Sequence, residues 1–88
     1  MGWKIRVSKD AENEIEHLDH QIQRRIISFL KERVINRENP RSVGRALAGK
    51  FSGLWKYRVG DYRIICEIQD SVMTILVVTV GHRREIYH

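Results

Sequence analysis

At 88 residues the chain has room for one small domain, expected over residues 1–88, with a thin core that buries about 60% of the surface exposed on unfolding. Hydrophobic residues make up 42% and charged residues 31% with a single proline, which excludes a disordered tail. The lone Cys66 excludes an internal disulfide, and the longest apolar run, Ile75 to Val78, is too short for a membrane helix.

The formal net charge is +5 and the sequence pI about 9.8, which predicts attraction to a polyanion or an acidic protein. Met1 to Arg6 shows no long apolar segment of the signal-peptide kind, and with no disulfide the expected compartment is the cytoplasm, with no membrane partner. Charge is unevenly spread. Residues 10–19 carry Asp10, Glu12, Glu14, Glu16 and Asp19 without Lys or Arg, whereas residues 41–63 carry Arg41, Arg45, Lys50, Lys56, Arg58 and Arg63 against Asp61.

In chain order, Trp3, Ile5 and Val7 alternate with Lys4 and Arg6, the period of a strand with one buried face. Ser8 is a natural N-cap for a helix running to about Leu18, with Ala11, Ile15 and Leu18 on one side. Asp19 is placed to cap a second helix over residues 20–35, whose stripe is Ile22, Ile26, Phe29, Leu30 and Val34. Asn39-Pro40, Gly44, Gly49 and Gly53 mark residues 36–53 as an irregular connection, with one short turn near Arg45 to Leu47. Leu54 to Val59 and Tyr62 to Ile68 are strand-like runs joined by Gly60-Asp61, a two-residue hairpin signal, and a third run covers Val72 to Val80 after a turn at Asp70-Ser71.

These elements predict an α+β fold: an N-terminal strand, a helical hairpin, then a three-strand antiparallel meander, with the helices packed on one face of a four-stranded sheet. A two-residue turn fixes the register, pairing Val59 with Tyr62, Arg58 with Arg63 and Lys56 with Ile65. Trp55, Tyr57, Val59, Tyr62, Ile64, Cys66 and Ile68 then lie under the helices, and Lys56, Arg58 and Arg63 share the opposite face. Like charges opposed across strands destabilise, so this crowding points to a bound anion. The closing run Gly81-His82-Arg83-Arg84-Glu85-Ile86-Tyr87-His88 adds more cations and a phenol. Acids such as Asp10, Glu12 and Glu16 on an exposed helix turn read as solvated, so neither a metal nor a cofactor is expected.

Arg58-Val59-Gly60-Asp61-Tyr62-Arg63 with the terminal Gly-His-Arg-Arg-Glu-Ile-Tyr stretch, following Leu47-Ala48-Gly49 and Gly53 to Tyr57, resembles the RelE branch of the RelE/ParE toxin superfamily of type II toxin–antitoxin systems. The resemblance covers nearly the whole chain. It implies a ribosome-dependent endoribonuclease that cuts messenger RNA in the ribosomal decoding site and inhibits translation, with ribosomal RNA and a cognate antitoxin protein as partners. By position it implies Lys56, Arg58, Arg63, Arg83 and Tyr87 as catalytic residues. Arg41, Arg45, Lys50, His82 and Arg84 are the expected RNA-contacting residues, with His88 of second rank.

The best-known RelE pattern has a second lysine where this chain has Arg58, and arginine does not surrender its proton, so proton shuttling falls on Lys56 or Tyr87. Cleavage without a metal needs the 2′-hydroxyl deprotonated, the phosphate's added charge stabilised and the 5′-oxygen protonated, giving 2′,3′-cyclic phosphate and 5′-hydroxyl ends. Neighbouring arginines are expected to lower the pKa of both Lys56 and Tyr87, leaving either as base. Arg63 and Arg83 suit the scissile phosphate. A ParE-like inhibitor of DNA gyrase on the same fold, or a non-catalytic nucleic-acid-binding domain, are the rival expectations.

Overall fold

Alternating and helical apolar spacing along this chain resolves into a five-stranded mixed sheet covered on one face by two helices. The computed structural model describes residues 2–36 and 39–82. Strand β1 (Lys4–Val7) leads through Ser8 into α1 (Lys9–Glu16) and then α2 (His20–Phe29). After a 3-10 turn at Pro40–Val43 come β2 (Arg45–Ala46), a second 3-10 turn at Gly49–Phe51, β3 (Trp55–Val59), β4 (Tyr62–Gln69) and β5 (Thr74–His82). The sheet order is β1-β5-β4-β3-β2, with β1 parallel to β5 and every other pair antiparallel.

Ser8 is the N-cap expected. Its hydroxyl oxygen accepts from the Ala11 N–H at 3.1 Å while its proton goes to the Val78 carbonyl at 2.9 Å, so one side chain starts α1 and ties it to β5. Asp19 precedes α2 without a side-chain cap bond; Gln23 Nε2 donates instead to the Leu18 carbonyl at 2.8 Å. The stripe expected over residues 20–35 is present, but after Phe29 the helix widens into a π turn at Leu30–Val34, closed by the Ile35 N–H on the Leu30 carbonyl at 3.0 Å. That geometry keeps both Leu30 and Val34 in the core.

Ile26, Leu30 and Val34 pack on Tyr57, Ile64, Cys66, Ile75 and Val77, the helix-facing residues of β3, β4 and β5. Each fully buried Ile or Val contributes about 1.5–3 kcal/mol. The Phe29 and Tyr57 rings meet edge to face at 6.1 Å, and the Tyr57 hydroxyl, with no exposure, donates to the Pro40 carbonyl at 2.7 Å. That bond pins the connection after α2 to the core, and burial pushes the Tyr57 phenol well above its ordinary pKa. Burial likewise raises the Cys66 thiol to about 12. Arg41 and Asp70 close the same end with an ion pair at 2.7 Å, and the guanidinium hydrogen bond holds the Asp70 carboxyl below the usual carboxylate range.

The four-stranded expectation misses β2, where the short turn near Arg45 is a two-residue strand paired with Trp55 and Lys56 of β3. No periodicity can announce so short an element. The Gly60-Asp61 turn sets the expected register, with Gly60 at φ 59. The last strand starts at Thr74 because Met73, in the left-handed region at φ 47, ends a 3-10 turn over Asp70–Val72. Among the described residues no helix is long and apolar enough to cross a membrane.

Tyr57→Phe leaves the buried Pro40 carbonyl without its donor and is expected to cost about 1–3 kcal/mol in denaturant unfolding. Cys66 is expected to resist thiol reagents at pH 8 until the protein unfolds; rapid native labelling would contradict the packing described. Because the Asp70 pKa is depressed on folding, the contribution of its ion pair is present above the unfolded carboxyl pKa and is lost as pH falls through the folded one. Asp70→Asn should therefore narrow the stability difference between neutral and acid pH, read from unfolding midpoints across that range.

Candidate nucleic-acid interface

The face of the sheet turned away from the core is built in two cross-strand rows. One runs Arg45, Lys56, Ile65, Thr79 across β2, β3, β4 and β5; the next runs Arg58, Arg63, Gly81. Arg45 is exposed and Lys56 half-buried. Arg63, expected as an open surface cation, is instead 7% exposed, because it sits in the central strand between β3 and β5. Its Nε and Nη1 have no hydrogen-bond partner among the described residues.

A guanidinium buried with unmet donors costs about 1–3 kcal/mol, more when the charge itself is uncompensated. Phosphate and carboxylate are the groups its planar fork fits in pairs of N–H bonds. Arg58 opposes Arg63 in the register expected, yet its side chain bends to the hairpin tip, where Nε donates to the Gly60 carbonyl at 3.3 Å. The departure has a geometric reason: β2 reaches only to Lys56, so beyond it β3 is an edge strand and Arg58 can wrap around it.

The other expected contacts divide. Arg41 is engaged within the fold, bonded to both Asp70 oxygens at 3.0 and 2.7 Å with its guanidinium 5.6 Å over the Trp55 ring. Lys50 is exposed beside the Phe51 ring at 5.4 Å. His82, half-buried, meets the Tyr62 ring edge to face at 5.6 Å. Arg83, Arg84, Tyr87 and His88 lie outside the described residues. Among the described residues no cluster of His, Cys, Asp or Glu is arranged to hold a metal ion.

Sequence reasoning misses two features. Between Ile65 and Cys66 the β4–β5 register shifts, since Ile65 faces Thr79 while Cys66 faces Val77, so Val78 is an extra residue. Past Val77, where its pairing with β1 ends, β5 keeps β4 on one side only, and Glu14 of α1 covers the other edge, accepting from the Thr79 hydroxyl at 2.9 Å and the Val80 N–H at 2.8 Å. Glu14 also lines a groove of about 790 Å³, walled by Leu18 of the α1–α2 connection, Ile65 of the sheet and Leu47, Phe51 and Leu54 of the β2–β3 connection. A carboxylate 66 residues from its backbone donor carries no local signal.

The family model described as the ParE toxin of type II toxin-antitoxin systems matches residues 5–87. A curated relative, toxin RelG of Mycobacterium tuberculosis, is 29% identical over 87 residues, spanning 99% of this chain and 98% of its own. Toxin RelE of the same organism is 24% identical, over 97% of this chain and 86% of its own. Among solved structures, the RelBE2 toxin–antitoxin complex of Mycobacterium tuberculosis contains a chain with a TM-score of 0.84 at 24% identity, covering 94% of this chain and 93% of that one. The isolated E. coli RelE toxin gives 0.75 at 18% identity, over 97% and 90%.

Replacing Arg63 by the similarly long but uncharged Met removes the cost of a buried, unmet guanidinium. Arg63→Met is expected to unfold at equal or higher denaturant than the parent, by up to about 1–3 kcal/mol. A marked loss of stability would mean the charge is compensated within the fold.

Proposed function

This chain belongs to the RelE/ParE superfamily of toxins from type II toxin–antitoxin systems, its curated relatives lying on the RelE branch, and we propose that it is a ribosome-dependent endoribonuclease of messenger RNA. The observation that carries the reading is Arg63, held buried on the sheet face turned away from the core, beside Arg58 and one row from Lys56, its Nε and Nη1 without a hydrogen-bond partner among the described residues. A binding module gains nothing from so costly a group that surface lysines would not supply. A site that must stabilise charge appearing on one phosphate gains most from a pre-placed donor shielded from water.

In the reaction proposed, the RNA 2′-hydroxyl attacks the adjacent phosphorus, the bond to the 5′-oxygen breaks, and the products carry a 2′,3′-cyclic phosphate and a 5′-hydroxyl. Arg63, with Arg83, holds the non-bridging oxygens as their charge grows. Lys56, one row away, or Tyr87 takes the 2′-hydroxyl proton, and the other of the two, still protonated, gives its proton to the departing 5′-oxygen. Arg58 keeps a positive charge beside the leaving side. Arg45, flanking Lys56, contacts the RNA backbone, as do Lys50 and His82. The toxin acts in the cytoplasm and is restrained by a cognate antitoxin, as in the toxin–antitoxin complexes to which its fold is similar.

The family model carries the ParE name, which favours inhibition of DNA gyrase as the second reading. The test is primer extension on a translated message after brief induction, with gyrase supercoiling measured in parallel. Cuts at defined codon positions are expected. On programmed ribosomes Arg63→Ala should slow single-turnover cleavage by about 10²–10³-fold, and Tyr87→Phe should weaken the cuts. Intact message with lost supercoiling would overturn the nuclease reading.

A further inference from the structure

A second basic feature lies on the helix side of the molecule and shares Arg58 with the row that holds Arg63. Arg24 and Arg25 of α2, Arg33 of its π turn and Arg58 of β3 line one open cleft around the hairpin tip at Gly60, of about 600 Å³. Helical spacing builds its wall: Arg25, Phe29 and Arg33 follow one another at i, i+4 and i+8, with Arg24, Ser28 and Glu32 on the neighbouring stripe. Arg25 reaches the turn itself, its Nη2 lying 3.3 Å from where a Cβ on Gly60 would stand.

Four guanidinium groups therefore face one cleft that contains a single carboxylate, Glu32. Among the described residues no ion pair joins Glu32 to any of them, the pair formed being Arg41 with Asp70. Where this fold has a basic residue to neutralise, it does so with carboxylate and ring, as at Arg41. Among the described residues the arginines of the cleft have no such carboxylate or ring partner and stand exposed, with Arg58 donating to the Gly60 carbonyl.

We propose that this cleft binds the phosphodiester backbone of the RNA strand as it runs on from the site of cleavage. Two observations select RNA over an acidic protein segment. The apolar residues of the cleft, Phe29 and Val59, are turned into the core, so a protein partner would find almost no apolar surface to bury, whereas the groove walled by Leu47, Phe51 and Leu54 offers it. Arg58 also belongs to both places, opposing Arg63 across the hairpin while its side chain lines the cleft. A strand with one phosphate at Arg63 is led around the hairpin tip by a continuous line of positive charge. The inference rests on the nuclease reading only in taking RNA as the polyanion, and its test measures binding rather than cutting.

The probes are fluorescent oligoribonucleotides of graded length, 2′-deoxy throughout the candidate cut so that none can be cleaved, titrated with the full-length chain at several salt concentrations. Affinity is expected to rise with strand length for the parent protein. The double variant Arg24→Gln, Arg33→Gln should lose that gain, and its plot of log affinity against log salt should be shallower by about 1.4, near 0.7 for each phosphate contact removed. Both residues are exposed, so folding is spared; Glu32→Gln, which removes the one carboxylate that lines the cleft among the described residues, should tighten long-strand binding by about 2- to 5-fold. Unchanged length dependence and salt slope in the double variant would overturn the proposal, as would polyglutamate competing as well as RNA of equal charge. A parent protein that binds strands in this way yet leaves ribosome-bound message intact would instead refute the nuclease reading and leave the cleft standing.

Discussion

The two-residue turn at Gly60-Asp61 fixes which residue of β3 faces which residue of β4, and the chemistry of both sheet faces follows from it. With Val59 opposite Tyr62 and Arg58 opposite Arg63, the side chains of Tyr57, Ile64 and Cys66 meet the helices. A slip of one residue would exchange every side chain between faces. Ile64 and Cys66 would leave the core, at about 1.5–3 kcal/mol for a large aliphatic residue, and Arg63 would enter it among Ile26, Leu30 and Val34. The packing on the helix side thus holds a charged residue in the middle of the sheet, where local energetics oppose it.

Arg41 and Arg63 show two treatments of the same side chain. Both are removed from open water to some degree, but Arg41 meets the Asp70 carboxylate in two hydrogen bonds and lies over Trp55. Arg63 is far more buried and its Nε and Nη1 have no partner among the described residues. A small domain has only about 0.05–0.15 kcal/mol of stability per residue, so an unmet guanidinium is a noticeable fraction of the total. The contrast separates an arginine bound into the fold by carboxylate and ring from a more deeply buried one whose Nε and Nη1 no described residue meets.

Much of this was legible in the chain because it is encoded over short distances. The Ser8 cap, the stripe on α2 and the Gly60-Asp61 turn each depend on neighbours within a few residues and are found as expected, whereas β1 forms but leaves Val7, expected on its buried face, exposed beside the half-buried Ile5. What escaped depends on distant partners. Strand β2 is two residues long and exists because Trp55 and Lys56 offer an edge. The Glu14 clasp on β5 and the Arg41–Asp70 pair join residues 66 and 29 apart. The burial of Arg63 follows from β5 completing the sheet beside it, and the wrapping of Arg58 from β2 ending early. The pattern of faces was readable; the depth of each residue within its face was not.

Charge is partitioned by element in a way that bears on approach as well as binding. In α1 Asp10, Glu12, Glu14 and Glu16 stand against Lys9 alone, while the net charge of +5 is concentrated on α2, its π turn and the β2–β4 face. Fields of this kind act over about 10 Å at 0.1 M salt, further than any single contact, and they orient a polyanion before it touches the surface. A chain approaching from the α1 side is repelled and one approaching the hairpin tip is drawn in. Glu14 is the one acid of that helix whose charge is drawn inward, bonded to Thr79 and Val80, so the sheet edge beside the basic face is closed by a group that leaves the field outside it positive.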